Sequence, residues 1–356
     1  MKIRTLIADD SATFRAVLRS VLEGAADIEV VGEAADGASA VRLVRALRPD
    51  VLTLDVQMPG LDGLGALEEI MRVAPTPVVV LSAAAGASGA LSFRALELGA
   101  LEVLPKPRGG AAGLEKGAEE IRNAIRVVAG VKVLTRRRQR GAAATAPAGL
   151  ARGHRPAAVG IAASTGGPAA LARILSALPP AYPLPMLVVQ HMARGFQDAF
   201  VAWLASVSTR RVKMAEDREV IAAGTVYVGP DGRHLEIVGG RVHLGDGPPV
   251  DGFRPSATIL FASLARDLGG RAAGLVLTGM GRDGAEGLRR LRQAGGWAAA
   301  QGPATSAVYG MPREALECGA AQLSLELDEI PAALALLASP AGPPDPAEDQ
   351  SGSGNS

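Results

Sequence analysis

The chain has 356 residues, long for one domain and sufficient for two. Hydrophobic residues make up 48% and aromatics only 3%, so any core must be aliphatic; a net charge of +1 gives no global attraction for nucleic acid or an anionic membrane. One cysteine, Cys318, can close no internal disulfide and reads as a small buried hydrophobe in a reducing compartment. The N-terminus turns acidic at Asp9, too early for a signal peptide. No uncharged apolar run reaches the roughly 18–20 residues of a membrane span. The expectation is a cytoplasmic protein with no direct membrane insertion.

Residues 3–8 form an apolar run that predicts a strand, followed by a helical pattern from Thr13 to Glu23. Strands near 28–34, 50–55, 77–82 and 101–104 then alternate with helical patterns near 37–47, 63–73, 87–98 and 114–129. Such alternation with short loops predicts a doubly wound α/β unit, a five-stranded parallel sheet of flavodoxin-like type, over residues 1–130. Residues 131–156 carry Arg136-Arg-Arg-Gln-Arg140 and an Ala/Gly/Pro stretch, the composition of a flexible linker with solvated charge. Residues 157–338 predict a second α/β domain with a mainly parallel sheet. Its strands near 158–163, 185–190 and 273–277 are apolar throughout, as strands buried on both faces should be. Short strands within 211–244, with turns at Pro230-Asp-Gly232 and Gly239-Gly240, predict an antiparallel hairpin that adds edge strands. The tail 339–356, rich in Pro, Gly, Ser and acid, predicts disorder.

Asp9 and Asp10 end the first predicted strand, Asp55 the third and Ser82 the fourth, and Lys106 follows the fifth. In an open α/β sheet ligands collect beyond the carboxyl ends of the strands. Three carboxylates meeting there repel one another unless a cation sits among them, and hard oxygen donors suit Mg²⁺. A hydroxyl and an ammonium at the same rim can hold phosphoryl oxygens, so the set reads as an aspartate nucleophile with the neutralising groups that phosphoryl transfer needs. Each residue alone has a plainer reading: Asp10 or Ser11 as a helix cap, Lys106 as a solvated charge.

In the second domain Ser164 lies where an apolar strand turns through Ser-Thr-Gly-Gly-Pro168 into the helical pattern of Ala169–Leu178. His191 ends another apolar run, and Asp283 follows Leu277-Thr-Gly-Met-Gly-Arg282. A hydroxyl, an imidazole and a carboxylate at strand ends make a nucleophile, a base and its orienter. Backbone N–H groups around Thr165-Gly166, or in Gly279-Met280-Gly281, could serve the oxyanion. Plainer readings stand beside this one. The Ser-Thr-Gly-Gly turn could cradle phosphate, although no G-K-[ST] follows it. His191 could be structural, and Asp283 could cap the helix near 284–295. His234 and His243 read as surface residues, His154 falls in the linker, and four scattered histidines lack zinc-site spacing. An output domain that only binds nucleic acid would need a helix with a basic stripe, which residues 157–338 do not offer.

Ala8-Asp-Asp-Ser11, Leu54-Asp-Val-Gln-Met-Pro59, Asp62-Gly63, Ser82 and Lys106-Pro107 resemble a response-regulator receiver domain. The resemblance implies phosphorylation of Asp55 by a chemotaxis histidine kinase, Mg²⁺ held by Asp9, Asp10 and Asp55, and Ser82 and Lys106 as phosphoryl-coordinating groups. Gly160–Pro168, Val189-Gln-His-Met192, Gly229–Leu235, Arg254-Pro-Ser256, Leu277–Gly284 and Val308–Arg313 are similar to the catalytic domain of the chemotaxis methylesterases of the CheB family. That resemblance implies Ser164, His191 and Asp283 as the triad, Met280 lending its N–H to the oxyanion, and Thr165 beside the nucleophile. The implied substrate is a glutamate methyl ester on the cytoplasmic helices of a chemoreceptor, hydrolysed to methanol and a carboxylate without a cofactor. Deamidation of certain receptor glutamines is the same acyl chemistry. Ala193-Arg194 and Ala257-Thr258 depart from the family's frequent residues, which touches receptor preference and not reaction class. A phosphoacceptor domain fused to an esterase that needs no phosphate predicts that the unphosphorylated N-terminal domain obstructs the site.

Overall fold

The computed structural model describes residues 2–82, 87–107, 111–131 and 154–339. The Arg136–Arg140 run, most of the predicted linker and the tail after residue 339 lie outside the described residues.

The N-terminal unit alternates as predicted: β1 (Ile3–Ala8), α1 (Ala12–Glu23), β2 (Ile28–Ala34), α2 (Gly37–Leu47), β3 (Val51–Asp55), α3 (Gly63–Val73), β4 (Val78–Ser82), α4 (Ala87–Leu98), β5 (Glu102–Pro105) and α5 (Ala111–Ala129). Its five strands run parallel in the order β2-β1-β3-β4-β5. Every residue of β3 and β4 is buried, as unbroken apolar runs covered on both faces require. Helix starts follow local chemistry. The side chains of Ser11, Asp36 and Asp62 accept the N–H of Phe14, Ser39 and Gly65, occupying donors the first turns leave free. The cap of α1 is therefore Ser11, which leaves Asp10 exposed at the rim.

The second unit comprises β6 (Ala158–Ala163), α6 (Gly167–Ala177), β7 (Met186–Gln190), α7 (Gln197–Val207), β8 (Arg211–Met214), β9 (Thr225–Val228), β10 (His234–Val238), β11 (Arg241–Gly245), α8 (Ala257–Leu268), β12 (Ala272–Val276), α9 (Ala285–Gln293), β13 (Trp297–Gln301), α10 (Met311–Glu317), β14 (Leu323–Leu325) and α11 (Ile330–Ala338). Seven strands form one sheet in the order β14-β13-β12-β6-β7-β9-β8, with every described pairing parallel. The hairpin does not extend this sheet as expected. β10 and β11 form a separate antiparallel pair with Ile237 opposite Val242. The reason is periodicity: Leu235, Ile237, Val242 and Leu244 alternate with polar residues and bury one face, in a cluster with Phe261 and Leu264 of α8. The strands of the main sheet are apolar on both faces.

From β6 the chain builds outward through β7 on one side and through β12 on the other. The carboxyl ends of β6, β7 and β12 therefore border a topological switch point, where α/β sheets open a crevice. Gly160 in β6 lets α8 approach closely: a Cβ there would lie 2.6 Å from Leu264 and 3.0 Å from the Phe261 ring. Cys318 is exposed, not buried as expected, because it follows the last turn of α10. Among the described residues no helix is long and apolar enough to cross a membrane.

The two units meet through aromatics that the sequence otherwise uses sparingly. Phe93 of α4 lies 6.2, 5.7 and 5.6 Å, centroid to centroid, from Phe196, Phe200 and Trp203 on and before α7. The Trp203 indole donates to Glu97 at 2.7 Å. Ala193, after β7, packs against the N-terminal cluster that includes Leu81 and Leu104.

Phe261 is fully buried between α8 and the main sheet. Phe261→Ala is expected to cost about 3–5 kcal/mol in denaturant unfolding followed by circular dichroism. A loss under about 1 kcal/mol would show that the hairpin–helix layer contributes little to the fold.

Candidate active site

Two rims carry the predicted residues. At the first, Asp9, Asp10 and Asp55 present carboxylate oxygens within 4.8 Å of one another. Asp9 and Asp55 are buried, and the Lys106 ammonium bridges them at 2.7 and 2.6 Å. Burial pushes the Asp55 carboxyl up, against the hydrogen bond and charge of Lys106 that pull it down. Burial also works against the Lys106 ammonium, but its two carboxylate partners outweigh this and hold it protonated. Lys106 N–H donates to the Ser82 carbonyl at 2.8 Å, which ties the ends of β4 and β5 together. The buried Ser82 hydroxyl accepts from Ser92 of α4 at 2.6 Å. All five residues named from sequence thus share one rim. Three hard oxygen donors around a partly neutralised centre fit a divalent cation.

At the second rim, register decides the neighbours. Ala163 pairs with Gln190, and the His191 N–H donates to the Ala163 carbonyl at 2.8 Å. Ser164 and His191 are therefore the next residues on adjacent strands. The Gln190 side-chain amide donates to the Ser164 and His191 carbonyls at 2.9 and 2.8 Å, holding both strand ends in place. Gly279, after β12, fits against the serine: a Cβ on it would fall 2.7 Å from the Ser164 Cβ and 2.5 Å from the Met311 sulfur. Only glycine allows this approach.

Asp283 lies in the loop after β12 and is buried. His191 Nε2 stands 2.9 Å from its Oδ2. The same carboxylate accepts the Ser256 hydroxyl at 2.7 Å and the N–H groups of Ala257 and Thr258 at 2.7 and 3.0 Å. Burial raises the Asp283 carboxyl, but the His191, Ser256 and Ala257 contacts more than offset this and bring it down to about 2. The carboxylate thus caps α8, not α9 as the sequence suggested; the residue before α9 is Gly284, whose N–H donates to Thr258. Both imidazole nitrogens are buried: Nδ1 has no partner, and Nε2, although close to Asp283, makes no well-angled hydrogen bond to it.

The predicted oxyanion donors follow residues that touch each other: Thr165 follows Ser164, and Met280 follows Gly279, which packs on Ser164. Among the described residues no backbone carbonyl takes the N–H of Thr165, Gly166 or Met280, whereas the neighbouring Gly279 N–H is used by Val308. The Thr165 carbonyl is fixed by the Thr278 hydroxyl at 2.9 Å. Met280, which follows the glycine packed on Ser164, is 56% exposed.

Several supporting residues were not read from sequence. Gln190, Thr278 and Ser256 carried no signal as single residues, although all three lie in segments singled out for their resemblance. His234 is buried and not on the surface: its Nδ1 accepts the Ser256 N–H at 3.2 Å, and its Nε2 faces the Pro248 carbonyl at 3.0 Å. Its place at the buried start of β10 explains the difference. Glu102 of β5, in the N-terminal unit, comes near Thr165, and burial pushes its carboxyl up to about 7 despite that polar neighbour.

Residues 159–334 match the CheB methylesterase family, and residues 5–116 match the response regulator receiver domain. A protein from Anaeromyxobacter dehalogenans named protein-glutamate methylesterase/protein-glutamine glutaminase 2 is 49% identical over 93% of this chain and 96% of its own length. One from Caulobacter vibrioides, named protein-glutamate methylesterase/protein-glutamine glutaminase 1, is 42% identical over 95% of this chain and 98% of its own. The crystal structure of the Thermotoga maritima CheB methylesterase catalytic domain aligns with 50% of this chain and 97% of its own, at 35% identity and a TM-score of 0.49. From the family matches and the curated relatives, the chain belongs to the CheB methylesterase family and carries an N-terminal receiver domain.

Proposed function

We propose that this protein hydrolyses glutamate methyl esters on chemoreceptor cytoplasmic helices, deamidates particular receptor glutamines, and is switched by phosphorylation of Asp55. One observation carries the hydrolytic reading. The His191 imidazole sits with Nε2 2.9 Å from the buried, ionised Asp283 and with its buried Nδ1 unpartnered, on a strand end adjacent to Ser164. A buried polar nitrogen without a partner is costly, and a proton-transfer role for the ring accounts for keeping it there.

In this reading Ser164 Oγ attacks the ester carbon and its proton passes to His191 Nδ1. The negative charge on the former carbonyl oxygen is taken by the free N–H groups of Met280 and of Thr165 or Gly166. The tetrahedral species collapses with cleavage of the carbon–methoxy bond, and His191 returns the proton, so methanol leaves. Water, deprotonated by His191, then attacks the acyl-serine, frees Ser164 and leaves a glutamate carboxylate. A glutamine substrate releases ammonia at the first collapse. Asp283 remains a carboxylate throughout, because its depressed pKa of about 2 lies far below the range in which imidazoles titrate. No cofactor takes part in this sequence.

At the receiver rim Asp55 would accept a phosphoryl group from a histidine kinase. Asp9, Asp10 and Asp55 would hold Mg²⁺, which supplies charge neutralisation for the transferring oxygens. Lys106 and Ser82 would bind those oxygens. Drawing the Ser82 hydroxyl toward the phosphoryl group competes with its bond from Ser92, on the helix that carries Phe93 and Glu97 to the catalytic domain. The receiver's contact with Thr165 supports an obstructed resting state and a route by which phosphorylation loosens it.

The test is methanol release from methylated receptor, with acetyl phosphate and Mg²⁺ present. Ser164→Ala is expected to abolish release, and Asp283→Asn to lower kcat by about 10³–10⁴-fold. Full activity in the Ser164→Ala protein would end the serine mechanism. Phe93→Ala is expected to raise the unphosphorylated rate and shrink the gain from acetyl phosphate; an unchanged basal rate would remove the α4–α7 contact from the switch. The Glu102 carboxyl is raised from 4.5 to about 7 when docked, so the docked state binds the extra proton. Docking is thus favoured below about pH 4.5 and weakens as pH rises through about 7. The unphosphorylated wild-type rate, divided by that of Glu102→Gln, is expected to climb between about pH 6 and pH 8. A flat ratio would contradict the docked titration.

A further inference from the structure

One contact at the catalytic rim is unexplained by the hydrolytic steps. The Phe253 ring lies flat on the His191 imidazole, with centroids 3.9 Å apart and planes within 5°. This separation is close to van der Waals contact between two ring faces. Stacked side chains more often settle offset or edge-on, so a flat stack points to surroundings that impose it.

Those surroundings are well defined. Val250 and Phe253 exchange two backbone hydrogen bonds, at 3.1 and 2.9 Å, around Asp251 and Gly252. Both central residues have positive φ, 48° and 85°, the signature of a tight type I′ turn, for which Asp-Gly is a favoured pair. Arg282, next to Asp283, reaches Asp251 in this turn at 3.4 Å. On the other side of Phe253, the Ser256 N–H is tied to His234 and its hydroxyl to Asp283. One short segment therefore presents a ring to the face of His191 and a hydroxyl to the carboxylate at its edge.

We infer that Phe253 is a positioning residue for His191, fixing the plane of the imidazole so that Nδ1 stays aimed at the serine. The inference rests on the hydrolytic reading above. The Asp283 contact holds the ring at one edge only and leaves it free to pivot out of plane. A face-on aromatic removes that freedom. It also keeps water from one side of the ring, and its π-cloud favours the positive charge the imidazole carries once Ser164 gives up its proton. Small angular errors in a proton-transferring group cost rate far more than binding. The sequence offers no periodicity or motif that would single out this residue, because the stack forms between segments 62 positions apart, at 191 and 253.

The test uses the full chain with acetyl phosphate and Mg²⁺. Phe253→Leu fills similar space without a planar π-face. It is expected to lower kcat by about tenfold or more with KM within about twofold. Phosphonylation of Ser164 by a small fluorophosphonate, which needs no receptor contacts, is expected to slow in parallel. Phe253→Tyr keeps the face and is expected to restore both rates to within about threefold. Wild-type kcat and phosphonylation in Phe253→Leu would overturn the inference. So would a rise in KM alone, which would make Phe253 a substrate wall. If Phe253→Leu fails to fold, Phe253→Met under the same measurements decides the matter. Ser164→Ala, assayed alongside, separates the two failures: loss there with no effect at Phe253 rejects only the positioning role, while no loss there rejects the hydrolytic reading itself.

Discussion

A carboxylate buried against a helix start organises the catalytic domain. Asp283 is 2% exposed, and an ionised side chain at that depth is tolerable only if its oxygens are satisfied. Ser256, Ala257 and Thr258 supply three donors from the first turn of α8, and His191 supplies the fourth contact. The positive end of the helix dipole adds to the same stabilisation. The carboxylate therefore joins α8, the loop after β12 and the end of β7, and its charge fixes one edge of the imidazole. Moving any of these elements would leave a buried charge unpaired. The depressed pKa of Asp283 has a consequence for the fold too. The stability it contributes is present above about pH 3.8 and is lost as pH falls toward about 2.

The second constraint is the joint between the units. A chain with few aromatics concentrates three phenylalanines and a tryptophan at the α4–α7 contact, where a small interface needs rigid apolar area. Close by, the carboxyl of a receiver glutamate, Glu102, comes near the residue that follows Ser164. The apolar contact favours docking, while burial of the charged form of the Glu102 carboxyl opposes it.

Much of this organisation was legible in the sequence for identifiable reasons. Apolar runs of five or six residues, spaced by amphipathic helices, placed the five strands of the first sheet and β6, β7 and β12 of the second to within a residue or two, while β13 and β14 went unread. Asp9, Asp55, Ser82 and Lys106 were readable because strand ends of a parallel sheet necessarily share a rim. Ser164 and His191 followed the same logic. The hairpin was misplaced because period-2 burial says that one face is covered without saying by what, and α8 covers it. His234 and the capping role of Asp283 were missed because both depend on a loop, around Ser256, whose path local patterns do not encode. Cys318 was misread because a lone small residue near a helix end carries no burial signal of its own. The Glu102–Thr165 contact and the Phe253 stack join distant segments and became visible only in three dimensions.

The most direct test of the central claim is capture of the acyl-enzyme. Acid quenching of the phosphodonor-activated protein during turnover of methylated receptor, followed by peptide mapping, should recover receptor peptide esterified to Ser164, and a His191→Gln protein should yield none. Recovery of the ester on another side chain, or its formation at the wild-type rate without the imidazole, would contradict a serine–imidazole–carboxylate mechanism at this rim.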